Sequence, residues 1–343
     1  MSNASTPSRK RVLSGMRPTG KLHLGNHMGA LANWVRLQHE YECYFFIADW
    51  HALTTDYADT SQLPDNTREV ALDWLAAGLD PEKCTLFIQS QVNEHALLHL
   101  LLSMITPLGW LERVPTYKEQ QENLTGKDLT TYGFLGYPLL QSADILLYQP
   151  DFVPVGQDQV AHVELTREVA RRFNQFYKRP DGSEILPEPQ VLLTPAPKLP
   201  GTDGRKMSKS YGNTILLSDP EPEIRKKLKP MVTDPARIRR TDPGDPDVCP
   251  VFDLHKVFSS AETQAKVREG CTTAGIGCIE CKSWLADAVV AELAPMQERR
   301  AKFAQGNLVT DILNEGRKRA TARAHQTMTE VRAAVHLPPE VID

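Results

Sequence analysis

Short apolar runs alternate with amphipathic stretches through the first half of the chain. Residues 11–16 (RVLSGM), 43–48 (CYFFIA) and 85–89 (TLFIQ) read as buried strands, since a brief continuous apolar run fits a strand covered on both faces. Between them, residues 28–39 and 67–79 repeat apolar side chains at helical spacing. Strand–helix–strand alternation of this kind predicts a parallel sheet with right-handed crossovers. A further unit follows: residues 143–148 helical, 152–155 (FVPV) extended and 158–177 a long helix, with 191–194 as another strand.

The texture changes after Pro195, where residues 195–205 (PAPKLPGTDGR) form a mobile loop by composition. From Glu221 onward strand signals give way to helix patterns over 223–231, 252–258, 261–269, 284–304 and 311–335. Pro222 lies near one helix start, and Pro338 with Pro339 ends the last helix. The pattern therefore predicts a disordered tail over 1–10, an α/β domain over 11–217 and an all-helical domain over 218–310. A final helix within 311–343 is free to pack back on the first domain.

Composition agrees with two domains, since 343 residues exceed one core of ordinary size. A hydrophobic content of 41% with 24% charged residues excludes disorder, collagen-like repeats and coiled coil as the main theme. The formal net charge of -4 excludes a wholly basic nucleic-acid coat but leaves room for a local basic face. No stretch is apolar for long enough to cross a bilayer; residues 96–105 come nearest and are too short. The N-terminal MSNASTPSRK has no hydrophobic core and does not read as a signal peptide. The expected compartment is the cytoplasm, where cysteine clusters bind metal more often than they form disulfides.

The first chemical signal is Gly15-Met-Arg-Pro-Thr-Gly20-Lys21-Leu22-His23-Leu24-Gly25-Asn26, directly after the first strand. A strand, a glycine turn and a helix start aim backbone N–H groups at phosphate. Residues 15–21 satisfy most of the P-loop pattern, but Leu22 has no hydroxyl to hold Mg²⁺. The second signal is Lys206-Met207-Ser208-Lys209-Ser210, in the loop after the sheet. Taken alone it reads as a solvated basic loop; paired with the glycine turn it reads as a cationic clamp for a polyphosphate.

Together the His23-Leu-Gly-Asn26 signature and the intact KMSKS, in that order along the chain, resemble the class I aminoacyl-tRNA synthetases. Residues 48–54 (ADWHALT), 136–148 (GYPLLQSADILLY) and 153–159 (VPVGQDQ) narrow the resemblance to the bacterial tryptophanyl-tRNA synthetase family. It covers nearly the whole chain from Arg11. The resemblance implies a Rossmann-like catalytic domain over 11–217 and a helical anticodon-binding domain over 218–310. It implies activation of L-tryptophan with ATP, release of pyrophosphate, and transfer to the 2′-OH of the terminal adenosine of tRNA(Trp). No protein nucleophile is required, so catalysis is expected to be positioning and charge stabilisation. A tyrosine-activating enzyme is the nearest alternative of the same chemistry, and an iron–sulfur regulatory protein without catalysis is the alternative of another class.

By that resemblance His23, Asn26, Lys206 and Lys209 are catalytic. ATP is lined by Met16, Arg17, Pro18, Thr19, Gly25, Asn26, Gly156, Gln157, Asp158, Leu199, Met207, Ser208 and Ser210 with the two lysines, and Mg²⁺ rides on the phosphates. Indole N–H is a donor only, so a tryptophan pocket needs one buried acceptor, matched here by Asp144. Val153 and Val155 match apolar walls, and Tyr137, Gln159 and His51 match the groups around the α-amino end. Two departures stand out: Gln141 replaces a common methionine and Leu13 a common aromatic. The run Arg225, Lys226, Lys227, Lys229, Arg237, Arg239 and Arg240 is either a solvated face or a phosphate contact for tRNA. The family also implies a homodimer.

Six cysteines are spread unevenly. Cys43 and Cys84 read as inert core residues, whereas Cys249, Cys271, Cys278 and Cys281 make a C-x21-C-x6-C-x2-C pattern. Four thiolates with a terminal C-x2-C fit either a structural Zn²⁺ or a 4Fe–4S cluster, and spacing alone does not choose. The resemblance favours 4Fe–4S, because a subset of the bacterial family has a similar spacing in its helical domain.

Overall fold

The computed structural model describes residues 9–115, 117, 128–193 and 198–338. Most of the expected tail, positions 194–197 and the residues after 338 lie outside the described residues. Five strands, β1 (Arg11–Met16), β2 (Glu42–Ile47), β3 (Cys84–Ile88), β4 (Phe152–Val155) and β5 (Gln190–Leu193), form one sheet in the order 3-2-1-4-5. Every pairing is parallel. All five strands begin within one residue of their expected starts, because each is a short apolar run that needs burial on both faces.

Helices cover the two faces. After the glycine turn, α1 (Leu24–Asn26) passes through a π-helical turn, His27–Leu31, into α2 (Ala32–Leu37). The wider π turn breaks the 3.6-residue period, so apolar spacing alone reads this helix only from Met28. Next come α3 (Asp49–Asp56), α4 (Leu63–Ala77), α5 (Glu94–Ser103), α6 (Leu108–Glu112), α7 (Tyr132–Tyr148) and α8 (Val160–Phe176). The expected helix at 143–148 is thus only the end of α7. Gly133, Gly136 and Pro138 weaken its intrinsic signal, while Thr131 caps its start by accepting from the Phe134 N–H at 3.3 Å. The later half holds α9 (Glu221–Leu228), α10 (Pro250–Phe258), α11 (Ala261–Thr272), α12 (Cys278–Phe303) and α13 (Leu308–Ala334).

Successive strand residues point to opposite faces, and two cores result. On one side Val12, Phe45 and Leu86 pack with Trp34 and Trp74, and this core continues into Ile224, Leu254, Leu285 and Leu293 of the helical half. The Trp34 and Phe45 rings stack at 4.6 Å. On the other side Leu13, Phe46 and Phe87 pack with α7, α8 and α13 through residues such as Ala143, Val163 and Met328. Cys43 and Cys84 are register partners on β2 and β3. Both are buried, and burial pushes each thiol up to about 12. Among the described residues no helix is long and apolar enough to cross a membrane.

The helix α13 lies directly on β3, and Gly316 allows it. A Cβ at that position would fall 1.7 Å from the Leu86 carbonyl oxygen, which is backbone and cannot step aside. Gly316→Ala is therefore expected to lower stability by at least about 1–3 kcal/mol, read as a lower urea midpoint. An unchanged midpoint would show that the close approach is not required.

Candidate active site

In an open parallel sheet the ligand crevice forms outside the carboxyl ends of the strands, where the strand order reverses. Here that point lies between β1 and β4, the two strands that carry Leu13–Met16 and Val153–Val155 to the same edge. A cavity of about 340 Å³ opens there. The seven residues expected to bind tryptophan, at its side chain or its α-amino end, line it: His51, Tyr137, Gln141, Asp144, Val153, Val155 and Gln159. Both departures from the family pattern, Gln141 and Leu13, are also in its wall. Gly15 keeps the β1 end thin, since a Cβ there would meet the Phe46 ring at 2.5 Å.

Asp144 sits at the cavity wall with no exposed surface. His51 Nε2 lies 2.8 Å from Oδ2, His95 Nδ1 lies 2.7 Å from Oδ1, and the Gln89 amide donates to both oxygens at 2.8 and 2.9 Å. Burial alone would raise this carboxyl, but the hydrogen bonds from His51 and His95 outweigh it and hold the group well below its usual range. The site is thus a buried, ionised acceptor facing an otherwise largely apolar pocket, suited to a neutral ring with one N–H.

The glycine turn and the lysine loop meet beside this cavity. Leu24 N–H donates to the Ile215 carbonyl at 3.0 Å and Leu217 N–H to that of Leu22 at 2.9 Å. Lys209 Nζ donates to the carbonyls of Thr19 and Gly20 at 2.9 and 2.8 Å. Burial pulls that ammonium down to about 8. Asn26 Oδ1 accepts from the His23 N–H at 3.1 Å, and Met207 packs 3.7 Å from where a Gly25 Cβ would lie. A second cleft of about 450 Å³ adjoins the turn, lined by Arg17, Pro18 and Thr19 together with Thr55, Asp56 and Asn66. Arg17 donates to Asp56 at 3.3 Å and to the Thr55 hydroxyl. The strands thus bring His23, Asn26, Lys209 and Arg17 to one end of the sheet.

Other expected residues are placed less centrally. Gly156 lines the cavity, whereas Gln157 and Asp158 are exposed on the short turn beyond it. Lys206 and Ser210 are exposed, Ser208 and Ser210 share a hydroxyl contact at 2.9 Å, and Leu199 is packed in the core and lines neither cleft.

Several residues at the site are not among those expected from the sequence. Gln89, His95, Tyr148 and His162 lie at or behind the cavity, and only an isolated polar residue in an apolar run hints at them. Asn213 ties the lysine loop together: its Oδ1 accepts from Ser208 N–H at 2.8 Å and its amide donates to Asp203 at 2.7 Å. Asp73, a buried acid within α4, accepts from the Leu22 N–H at 2.7 Å and from Arg300 of α12 at 2.8 Å. It couples the glycine turn to the helical half.

Burial also keeps histidines neutral. It lowers His162 to about 4 and, helped by Lys209, His23 to about 4. The unfolded imidazoles take up protons near 6.5, so between about pH 6.5 and 4 unfolding binds protons and stability falls as pH falls. The urea midpoint at pH 5 is expected below that at pH 7.5; equal midpoints would refute burial of neutral imidazoles.

The four late cysteines gather between helix ends. Cys249 precedes α10, Cys271 lies near the end of α11, and Cys278 and Cys281 open α12. Burial first, then Cys249, Cys271 and Cys278, push the Cys281 thiol up to about 12. The guanidinium of Arg237 reaches the Cys271 sulfur at 3.7 Å, and His255 Nε2 stands 3.4 Å from that of Cys281. Among the described residues, however, no three metal-ligating side chains draw together closely enough for one ion. The basic run nearby is largely engaged: Arg225 pairs with Glu221 and Asp287, Lys226 with Glu223, and Lys227 with Asp219. Lys229, Arg239 and Arg240 are exposed.

Comparison with known proteins gives three concordant findings. The model for "tRNA synthetases class I (W and Y)" matches residues 6–294. The chain is 55% identical to the tryptophan–tRNA ligase of Thermotoga maritima, over 95% of the chain and 99% of that protein. It is 50% identical to that of Ralstonia nicotianae, over 96% and 98%. Among solved structures, tryptophanyl-tRNA synthetase from Campylobacter jejuni complexed with ADP and tryptophan superposes with a TM-score of 0.87 at 33% identity, covering 95% of this chain and all of that one.

Proposed function

The chain belongs to the class I tRNA synthetases of the tryptophan and tyrosine family, and from that membership we propose how its residues divide the work. The enzyme is a tryptophan–tRNA ligase. A carboxylate oxygen of tryptophan attacks the α-phosphorus of ATP and pyrophosphate leaves. The 2′-OH of the terminal adenosine of tRNA(Trp) then attacks the acyl carbon and AMP leaves.

The observation that carries the substrate reading is the buried, ionised Asp144 in the wall of a tryptophan-sized cavity. The indole N–H donates to it while Val153 and Val155 hold the ring. Tyr137, Gln159 and His51 take the α-amino end. Gln141 makes this wall more polar than a methionine would. The nucleotide lies along the glycine turn, with His23 and Asn26 at its phosphates, Arg17, Pro18, Thr19 and Gly156 at its sides, and Lys206 and Lys209 closing over it with Mg²⁺ on the phosphates. The tRNA is held by the exposed members of the basic run, and exposed ion pairs there are weak enough for phosphate to replace. A homodimer fits the exposed apolar residues Leu97 and Leu100 of α5 and Met104 just after it, which recur at helical spacing, and the expected compartment is the cytoplasm.

For the four cysteines we favour a 4Fe–4S cluster over zinc. Thiols that raise one another need a cationic partner to ionise together. Four cysteines with a terminal C-x2-C suit a cluster in which each binds a different iron. Cys249, Cys271, Cys278 and Cys281 would hold it, and it would staple α10, α11 and α12 together.

Anaerobically purified protein is expected to catalyse tryptophan-dependent, tyrosine-independent pyrophosphate exchange and to charge tRNA. The same protein is expected to absorb in the visible and contain iron and sulfide. Charging with tyrosine instead would overturn the substrate reading. A colourless, zinc-loaded but active protein would overturn the cluster and leave the ligase intact.

A further inference from the structure

Asp144 is held from behind by groups that never touch the cavity. Gln89 directly follows β3, His95 lies in α5 and Tyr148 closes α7, and none of the three lines the pocket. All three are fully buried. The His95 ring ties α5 to two residues of α7, with Nδ1 2.7 Å from Asp144 Oδ1 and Nε2 2.9 Å from the Tyr148 hydroxyl. An ionised carboxylate only accepts, so Nδ1 must carry the hydrogen. In the neutral ring Nε2 then accepts, and the Tyr148 O–H must donate to it. One proton arrangement satisfies every member. The ring is also fenced by aromatic neighbours, with centroids at 5.8 Å from Phe46, 6.1 Å from Phe87 and 5.4 Å from Tyr148.

The accounting at Asp144 gives this chain its purpose. A carboxylate has roughly four lone-pair directions. His95 and Gln89 engage Oδ1 while His51 and Gln89 engage Oδ2, so all four are taken, and a donor that enters through the cavity must displace or share with His51, the one of the three that lines it. The orientation of the carboxylate that such a donor meets depends on His95 and Gln89, which hold it from outside the cavity.

We propose that His95, whose Nδ1–H is fixed by the Asp144 carboxylate and whose Nε2 is engaged by the Tyr148 hydroxyl, is a positioning residue that aims Asp144 at the indole N–H and so sets recognition of that N–H. The inference rests on the cavity being the tryptophan site. His95 acts only through Asp144, so its loss weakens ligands that present an N–H and spares those that do not. A residue that merely fills space behind the pocket would weaken both alike.

The test is calorimetric binding to the full-length protein of L-tryptophan and of its benzothiophene analogue, in which sulfur replaces the indole N–H. For His95→Leu the tryptophan Kd is expected to rise about tenfold to a hundredfold, the range for a hydrogen bond to a charged group, with the analogue changed less than about threefold. Tyr148→Phe, which removes one oxygen and keeps the ring, is expected to raise the tryptophan Kd by about two- to tenfold, again sparing the analogue. His95→Asn returns an N–H donor near Asp144 and is expected to recover part of the loss. Equal weakening of both ligands, or an unchanged tryptophan Kd, overturns the inference. If His95→Leu fails to fold, Tyr148→Phe decides on the same criterion. Wild-type protein that binds no tryptophan overturns the site reading itself, an outcome distinct from wild-type binding with variants that do not discriminate.

Discussion

Asp144→Ala is expected to lower kcat/KM for tryptophan about 10³-fold or more and to abolish discrimination against amino acids that lack an indole N–H. A site built to pair with a substrate N–H rejects analogues lacking it by roughly 10⁴–10⁵, because its buried polar group is otherwise left unpaired. Here the unpaired group would be a carboxylate with no exposed surface. The same change strands three donors, His51, His95 and Gln89, in the core, and loss of a buried partner of this kind costs about 3–5 kcal/mol. Stability and specificity should therefore fall together. Asp144→Asn separates them, since it keeps the volume but offers an N–H₂ group where donors converge. Steady-state pyrophosphate exchange with tryptophan, tyrosine and phenylalanine, alongside urea unfolding, checks both effects; retained discrimination would show that the acceptor lies elsewhere. Because the folded carboxyl is held below its usual range, its contribution to stability is present above the unfolded value near 4 and is lost only as pH falls through the lower folded value.

Lys209→Ala is expected to slow adenylate formation by about 10²–10³-fold, the usual effect of removing one group aimed at developing charge, while leaving the tryptophan Kd within about twofold. The separation follows from placement: Lys209 lines no part of the tryptophan cavity and instead donates to the Thr19 and Gly20 carbonyls of the glycine turn. In the free enzyme burial lowers its ammonium to about 8. Above that pH a growing fraction is neutral, so kcat/KM for ATP should fall as pH rises through about 8. A Lys209→Arg enzyme keeps its charge, and its alkaline limb should flatten even if its rate is lower. A tryptophan Kd that moves in step with the rate would overturn this assignment.

The strands, the two chemical signatures and the cysteine pattern are legible from the sequence because each rests on local physics. A run such as 43–48 has few alternatives to burial within a sheet, and a glycine turn between strand and helix exposes N–H groups whatever surrounds it. Family resemblance added the pocket residues, and the seven expected to bind tryptophan share one cavity. Leu199 packs in the core, and three members of the basic run, Arg225, Lys226 and Lys227, pair with acids, one of them 62 positions away.

Tertiary structure alone decided the rest. Gly133, Gly136 and Pro138 hide the first turns of α7, which form because that helix is buried against α5 and α8. Gly316 looks like a weak point in a long helix until Leu86 is found beneath it. His95, 49 residues before Asp144 in the chain, becomes its partner only when the sheet sets α5 beside α7. What sequence determines is which segments must be buried and which groups can do chemistry. Which buried group faces which is a property of the packed chain, since hydrogen bonds act over a few ångströms and only the folded topology brings distant residues that close.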